Sequence, residues 1–181
     1  MANCGSVTLS AIDARCHTSF GGIKRVLVAN RDEVTVATTK DENGVITGIT
    51  DITIAEGKKF VEWQFRKNTG SLTSTVTSDT AIGNTFATTE VTLQFTKAEA
   101  TKRLAIQSAI NASAVVIVED MYGQYIYLGL ENEVVVSAAT MVTGTAAADL
   151  NGFTLTFQDI ATQLPYFVEA SIVEGLEPIK G

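Results

Sequence analysis

The chain has little of what catalysis and metal binding draw on. It carries one histidine, His17, two cysteines, Cys4 and Cys16, and two prolines among 181 residues. A single imidazole leaves few ways to build a general acid–base pair or to activate a nucleophile, and no serine sits in a G-x-S-x-G elbow. A structural zinc site wants four ligands, usually with one closely spaced cysteine pair, and Cys4 and Cys16 are too far apart for that. The expectation is two free thiols, no bound metal, no cofactor and no enzymatic activity.

Basic charge is the second shortage. Thirteen Lys and Arg face twenty Asp and Glu, a formal net charge of −7, so the clustered cationic field that phosphate binding needs is absent. Passing close to DNA without holding it stays open, because an acidic wall repels phosphate. Long apolar runs are missing too: none approaches the ~18 residues of a membrane span. The opening "MANCGSVTLSAIDARCH" has neither a basic start nor an apolar core, so it does not read as a secretory signal. Cytosolic synthesis and reduced cysteines are expected.

Other candidate sites are equally thin. "SFGGIKR" lacks the spacing of a phosphate cradle and reads as a turn, and "DENG" at residues 41–44 lacks the alternating oxygens of a calcium loop. Glu119 and Asp120 are neighbours on a predicted strand, so they point to opposite faces and read as a strand end meeting water. Tyr122, Tyr125 and Tyr127 with Trp63 would suit a sugar platform, but strand aromatics are more often packing.

What is present is β pattern. Val61, Trp63 and Phe65 alternate with Glu62, Gln64 and Arg66 in "KKFVEWQFRK", and Val91, Leu93 and Phe95 alternate with polar neighbours in "TTEVTLQFT". "AVVIVED" is almost wholly apolar and β-branched, which predicts a central strand buried on both faces. Gly123 turns it into "QYIYLG". "EVVVSA" and "NGFTLTF" form the next pair, with Asn151-Gly152 supplying a left-handed turn and "ATMVTGTAAADL" a mobile loop between them. "KRVLVAN" and "VITGITDITI" add strands upstream. One helix interrupts: Thr96-Lys97-Ala98-Glu99 reads as a capping box that starts it near Lys97. Ala98, Ala105, Ala109 and Ala112 make its close-packing stripe, and it ends at residues 111–113.

Length and apolar content suit one domain over residues 1–181, with an N-terminal segment 1–22 and a polar stretch at 66–89. That stretch is rich in Thr and Ser and too poor in large apolar groups for a core. It reads either as a solvated loop or long exposed hairpin, or as an arm that orders against a neighbouring subunit.

Three segments, "GQYIYLGLENEVVVSAA", "TGTAAADLNGFTLTFQD" and "LPYFVEASIV", resemble the tail tube proteins of bacteriophages, those of gut Bacteroides-type hosts in particular. The resemblance implies a mainly β fold with one α-helix, a β-sandwich or small barrel flanked by that helix. It further implies hexameric rings stacked as a tube, in which one sheet of each subunit joins a continuous barrel and a long loop overlaps the next ring. DNA would pass through without specific binding, the partners would be further copies and other tail proteins, and the location would be the virion tail, assembled in the bacterial cytoplasm. On this reading Glu62, Glu90 and Glu133, each on the polar side of a predicted strand, are candidates to face the lumen. Leu164, Pro165 and Tyr166 are candidate inter-subunit contacts, with "LPYFV" fixing the edge beside "NGFTLTFQD". The alternatives are a carbohydrate-binding β-sandwich, or another tail component such as a terminator or baseplate subunit.

Overall fold

A computed structural model of the chain describes residues 12, 20–79 and 81–180. Cys4, Cys16 and His17, with most of segment 1–22, lie outside the described residues. The fold is mainly β, as expected. In chain order the elements are β1 (Ile23–Asn30), β2 (Val34–Lys40), β3 (Ile46–Ile54), β4 (Val61–Trp63), β5 (Gly70–Asp79), β6 (Asn84–Thr96), α1 (Ala100–Ile110), β7 (Ala114–Asp120), β8 (Tyr125–Leu128), β9 (Val135–Val142), β10 (Gly152–Ala161), β11 (Tyr166–Val168), α2 (Ala170–Glu174) and β12 (Ile179–Lys180).

Two sheets face each other. One has six strands in the order β11-β8-β7-β1-β4-β12 and the other four in the order β5-β6-β10-β9, while β2 and β3 form a separate hairpin. The larger core lies between the sheets, where Val26, Val116, Val118 and Leu128 meet Val91, Leu93, Phe153, Leu155 and Phe157. A second core covers the opposite face of the six-stranded sheet, where Leu27, Val115, Ile117 and Tyr127 pack on Ile49, Ile52, Phe60 and Val173. β7 therefore has apolar neighbours on both faces, and Ala114–Glu119 are all buried. Its β-branched run fits that place, since neither face can carry a polar side chain cheaply.

Several local expectations need correction. Thr96 does not cap α1: it is still paired with Gly152 in the β6–β10 ladder. The chain then turns through a left-handed Lys97, φ 66°, whose N–H donates to the Asn151 carbonyl at 2.6 Å. The helix starts one turn late, with Glu99 at its N-cap and no side-chain cap. Asn151-Gly152 is not a left-handed turn either. Gly152 is required because a Cβ there would sit 1.9 Å from the Phe95 carbonyl oxygen, a close backbone approach that only glycine permits.

β9 runs to Val142 and so takes in the first part of the expected loop. The remainder is a turn organised by Asp149, whose Oδ2 accepts the N–H groups of Thr145 and Ala146, both at 2.8 Å. The strand around Trp63 is only three residues long, because the chain leaves the sheet after Trp63 to reach a left-handed Asn68. β2 adds a strand beyond those expected, with Val34 and Val36 flanking Thr35 in an alternating start. Glu119 is no strand end in water: it is 4% exposed and ion-paired.

Candidate assembly surface

The polar stretch 66–89 forms most of a hairpin. β5 pairs with β6 in unbroken register from Gly70↔Leu93 to Asp79↔Asn84. Alternation sends Leu72, Val91 and Leu93 inward, and it sends Thr73, Thr75, Thr88, Glu90 and Thr92 to the outer face. On β10 the same alternation buries Phe153, Leu155 and Phe157, leaving Thr154, Thr156 and Gln158 outward. The outer face is thus a bed of hydroxyl and amide groups, cross-linked by a Thr92–Thr156 hydroxyl contact at 3.2 Å and by Gln158 Nε2 donating to Glu90 at 3.1 Å.

None of the four strands β5, β6, β9 and β10 contains a Lys or an Arg. Among the described residues both outer strands of this sheet also present unpaired edges, ten residues of β5 and eight of β9. Monomeric proteins usually blunt such edges with lysine, proline or very short strands. Among the described residues the one such device here is a register shift in the β9–β10 ladder, between Thr156 and Phe157.

The six-stranded sheet handles charge in the opposite way. Glu119 accepts from Lys24 Nζ at 2.5 Å and from Arg25 Nε, and Arg25 also donates to the Tyr125 hydroxyl at 2.9 Å. Burial alone would raise the Glu119 carboxyl, but hydrogen bonds from Lys24 and Arg25 outweigh it and hold it below the ordinary range. Asp159 lacks such partners. It is 5% exposed, with Oδ2 accepting the Gly129 N–H at 3.0 Å and Oδ1 without a partner, and burial pushes its carboxyl up.

The three candidate lumen acids do not share a surface. Glu90 lies on the outer face of the four-stranded sheet. Glu62 belongs to β4 in the other sheet, 3.6 Å from Arg25 with its side chain 11% exposed, and Glu133 sits in the turn before β9, accepting from Ser113 Oγ at 2.7 Å. Alternation assigned each acid to the polar side of a strand; Glu62 instead lies nearly buried in register with core Leu27, Glu133 precedes its strand, and only Glu90 stands on an exposed strand face.

Leu164, Pro165 and Tyr166 lead into β11, which pairs with β8 at the rim of the six-stranded sheet. "LPYFV" therefore does not flank "NGFTLTFQD", which is interior, between β6 and β9. Leu164 and Phe167 are exposed, 53% and 61%. The corner that delivers them is rigid: the Arg31 guanidinium donates to the carbonyls of Gly129, Leu130, Glu131 and Asn132, and Glu131 accepts from the Thr162 N–H and hydroxyl.

Tyr125 and Tyr127 are core residues and Tyr122 alone is exposed, so no aromatic platform for a sugar is assembled from them. Among the described residues no group of three His, Cys, Asp or Glu side chains comes together to hold a metal ion, and no helix is long and apolar enough to cross a membrane. Comparisons with protein-family models, characterised proteins and solved structures found no match to this chain.

Proposed function

We propose that the protein is a structural subunit of a bacteriophage tail, a tube protein that closes into hexameric rings and encloses a passage for DNA. The observation that carries this reading is the four-stranded sheet, with a cation-free hydroxyl face and two long unguarded edges. Pairing β5 of one copy with β9 of the next would remove every free edge of that sheet. Six copies would give a barrel of about 24 strands. At about 4.8 Å between strands and a tilt of about 40°, its backbone diameter is about 50 Å, which leaves room inside the side chains for a DNA duplex. A wall of threonines with scattered carboxylates would not neutralise phosphates, so cargo would slide rather than bind.

On this reading Glu90 is the lumen acid, the partners are further copies and other tail proteins, and the protein resides in the virion tail after assembly in the host cytoplasm. No chemistry is assigned to it. Electron microscopy of the purified protein tests the reading: rings with an open centre are expected. The double variant Thr75→Lys/Thr140→Lys, one charge on each edge strand, is expected to abolish rings while the circular dichroism spectrum stays unchanged. A strict monomer at high concentration, with no rings after prolonged incubation, would overturn the proposal. Rings that never stack would point instead to a terminator or baseplate subunit.

A further inference from the structure

Two signals compete at the junction between β6 and α1. Thr96-Lys97-Ala98-Glu99 has the spacing of a capping box, which would start the helix at Lys97. In the structure that box is unused. Lys97 takes a left-handed backbone, φ 66°, which residues with a Cβ adopt seldom and at a cost, and Glu99 stands at the N-cap with no side-chain cap. The first N–H to find a carbonyl four residues back is that of Arg103, on Glu99 at 3.1 Å, so Ala100 and Thr101 lie ahead of the first helical bond.

Two backbone donors and one side chain hold this late start. The Lys97 N–H donates to the Asn151 carbonyl at 2.6 Å and the Ala98 N–H to Asn151 Oδ1 at 3.4 Å. Lys102 Nζ donates to the carbonyls of Thr96 and Lys97, at 2.8 and 3.4 Å. Those are the two carbonyls that the Ala100 and Thr101 N–H groups would take in a helix beginning at Lys97. Lys102 thus stands in for a missing helical turn. Beside the junction a groove of about 560 Å³ separates β4 from α1, with Trp63, Phe95, Thr101 and Ala105 in its walls. Of the helix itself only Ile106 and Ala109 are buried.

We infer that the start of α1 is a two-position lid over this groove. In the position described here the helix begins at Ala100 and the groove is open. In the other, Thr96 leaves its rung with Gly152 and caps a helix that begins at Lys97, one turn earlier. Ala98 then lies on the same helical face as Thr101 and Ala105, and its small side chain lets the added turn come down over Trp63 and Phe95. Glu99 gives up Lys97 and Lys102, with which it pairs at 2.9 and 2.8 Å, and turns back to the Thr96 N–H. The long helix loses one ladder rung and the bonds to Asn151; it gains the capping box, a turn of helix and a right-handed Lys97. Each position uses groups that the other leaves idle, which is what a two-state element requires. The apolar groove is offered only while the helix is short.

Two substitutions at one position bias the lid in opposite directions. Proline suits the first helical position, excludes a positive φ and has no N–H for Asn151, so Lys97→Pro favours the long helix. Glycine adopts the left-handed backbone without strain, so Lys97→Gly favours the short one. Trp63 is the single tryptophan of the chain, and acrylamide quenching of its fluorescence therefore reads the groove directly. Lys97→Pro should be quenched about twofold less than Lys97→Gly and gain about three helical residues in circular dichroism. Equal quenching and equal helix content in the two folded variants would overturn the inference. Amide exchange tests it without proline. Lys102→Met frees the carbonyls of Thr96 and Lys97, so the Ala100 and Thr101 amides should exchange about tenfold more slowly than in the wild type. Adding Thr96→Val removes the capping hydroxyl, keeps a good strand former, and should restore the wild-type rate. Wild-type exchange in Lys102→Met, or slowed exchange that survives Thr96→Val, refutes the lid whether or not Lys97→Pro folds.

Discussion

The six-stranded and four-stranded sheets share one core and differ in everything else. The first is covered on both faces and neutralises its buried carboxylate with two cations. Among the described residues the second is covered on one face only, carries no cation in its strands and leaves both edges long and open. A sheet packed on both sides has met its requirements within the chain. A sheet with a bare polar face and unpaired edges has not, and the open hydrogen-bonding capacity of β5 and β9 is where a second copy is best accommodated.

The contrast is broken most directly by truncating each sheet in turn. Ile117, fully buried at the centre of the six-stranded sheet, should cost about 2–5 kcal/mol when changed to alanine. Thr75→Ala on the outer face of β5 should stay within about 0.5 kcal/mol. Urea denaturation of the unassembled protein measures both. Comparable losses would mean that the outer face is part of the fold and not a surface held for a partner.

Glu119→Gln should come next, at about 1–3 kcal/mol, because it removes one buried charge and leaves Lys24 and Arg25 without it. The sign with pH follows from the direction of the shift. The folded-state carboxyl titrates below its unfolded value, so its contribution is complete above about pH 4.3 and is lost as pH falls through the lower folded value. The gap between wild type and Glu119→Gln should therefore close on acidification; a gap that stays constant from neutral pH to pH 2 would show that the ion pairs are not its source.

Asp159 should behave in the opposite sense, and more weakly. Burial raises its folded-state carboxyl above the unfolded value, so the ionised form is the disfavoured one and its penalty grows as pH rises through that interval. Asp159→Asn keeps an acceptor for the Gly129 N–H and carries no charge. It should raise the melting temperature slightly at neutral pH and leave it unchanged near pH 3. A drop at neutral pH would mean that the carboxylate has a partner the fold does not reveal.

These tests concern residues whose legibility in the sequence varied for physical reasons. β7 and β10 were readable because their sequence patterns are simple, one almost wholly apolar and the other alternating. The hairpin at 66–89 was legible only as one of two options, since threonine is both a good strand former and a common loop residue. The α1 start was misplaced because the local capping signal lost to a tertiary one: Thr96 keeps its ladder partner in β10, more than fifty residues away in sequence. The placing of Glu62 beside core Leu27 and of Glu133 ahead of its strand was beyond alternation altogether, because a period of two tells neither what covers a side nor where a strand begins.

Glu90→Lys should have the smallest effect on the folded chain and the most telling one on the assembly. Its side chain is exposed, and its hydrogen bond to Gln158 lies at the surface, so stability should move by no more than about 0.5 kcal/mol. In a tube, however, the change would place a cation on the cation-free face in every subunit. Each lysine that neutralises a phosphate releases counterions, and the logarithm of affinity then falls with the logarithm of salt by about 0.9 per contact. Glu90→Lys tubes should therefore retain duplex DNA at low salt and release it as salt rises, whereas wild-type tubes retain none. Glu133→Lys makes the same change of charge away from that face, beside Ser113, and should leave retention at the wild-type level. Equal retention by the two variants would detach the polar face from the passage, because only position 90 lies on the sheet that would form the wall.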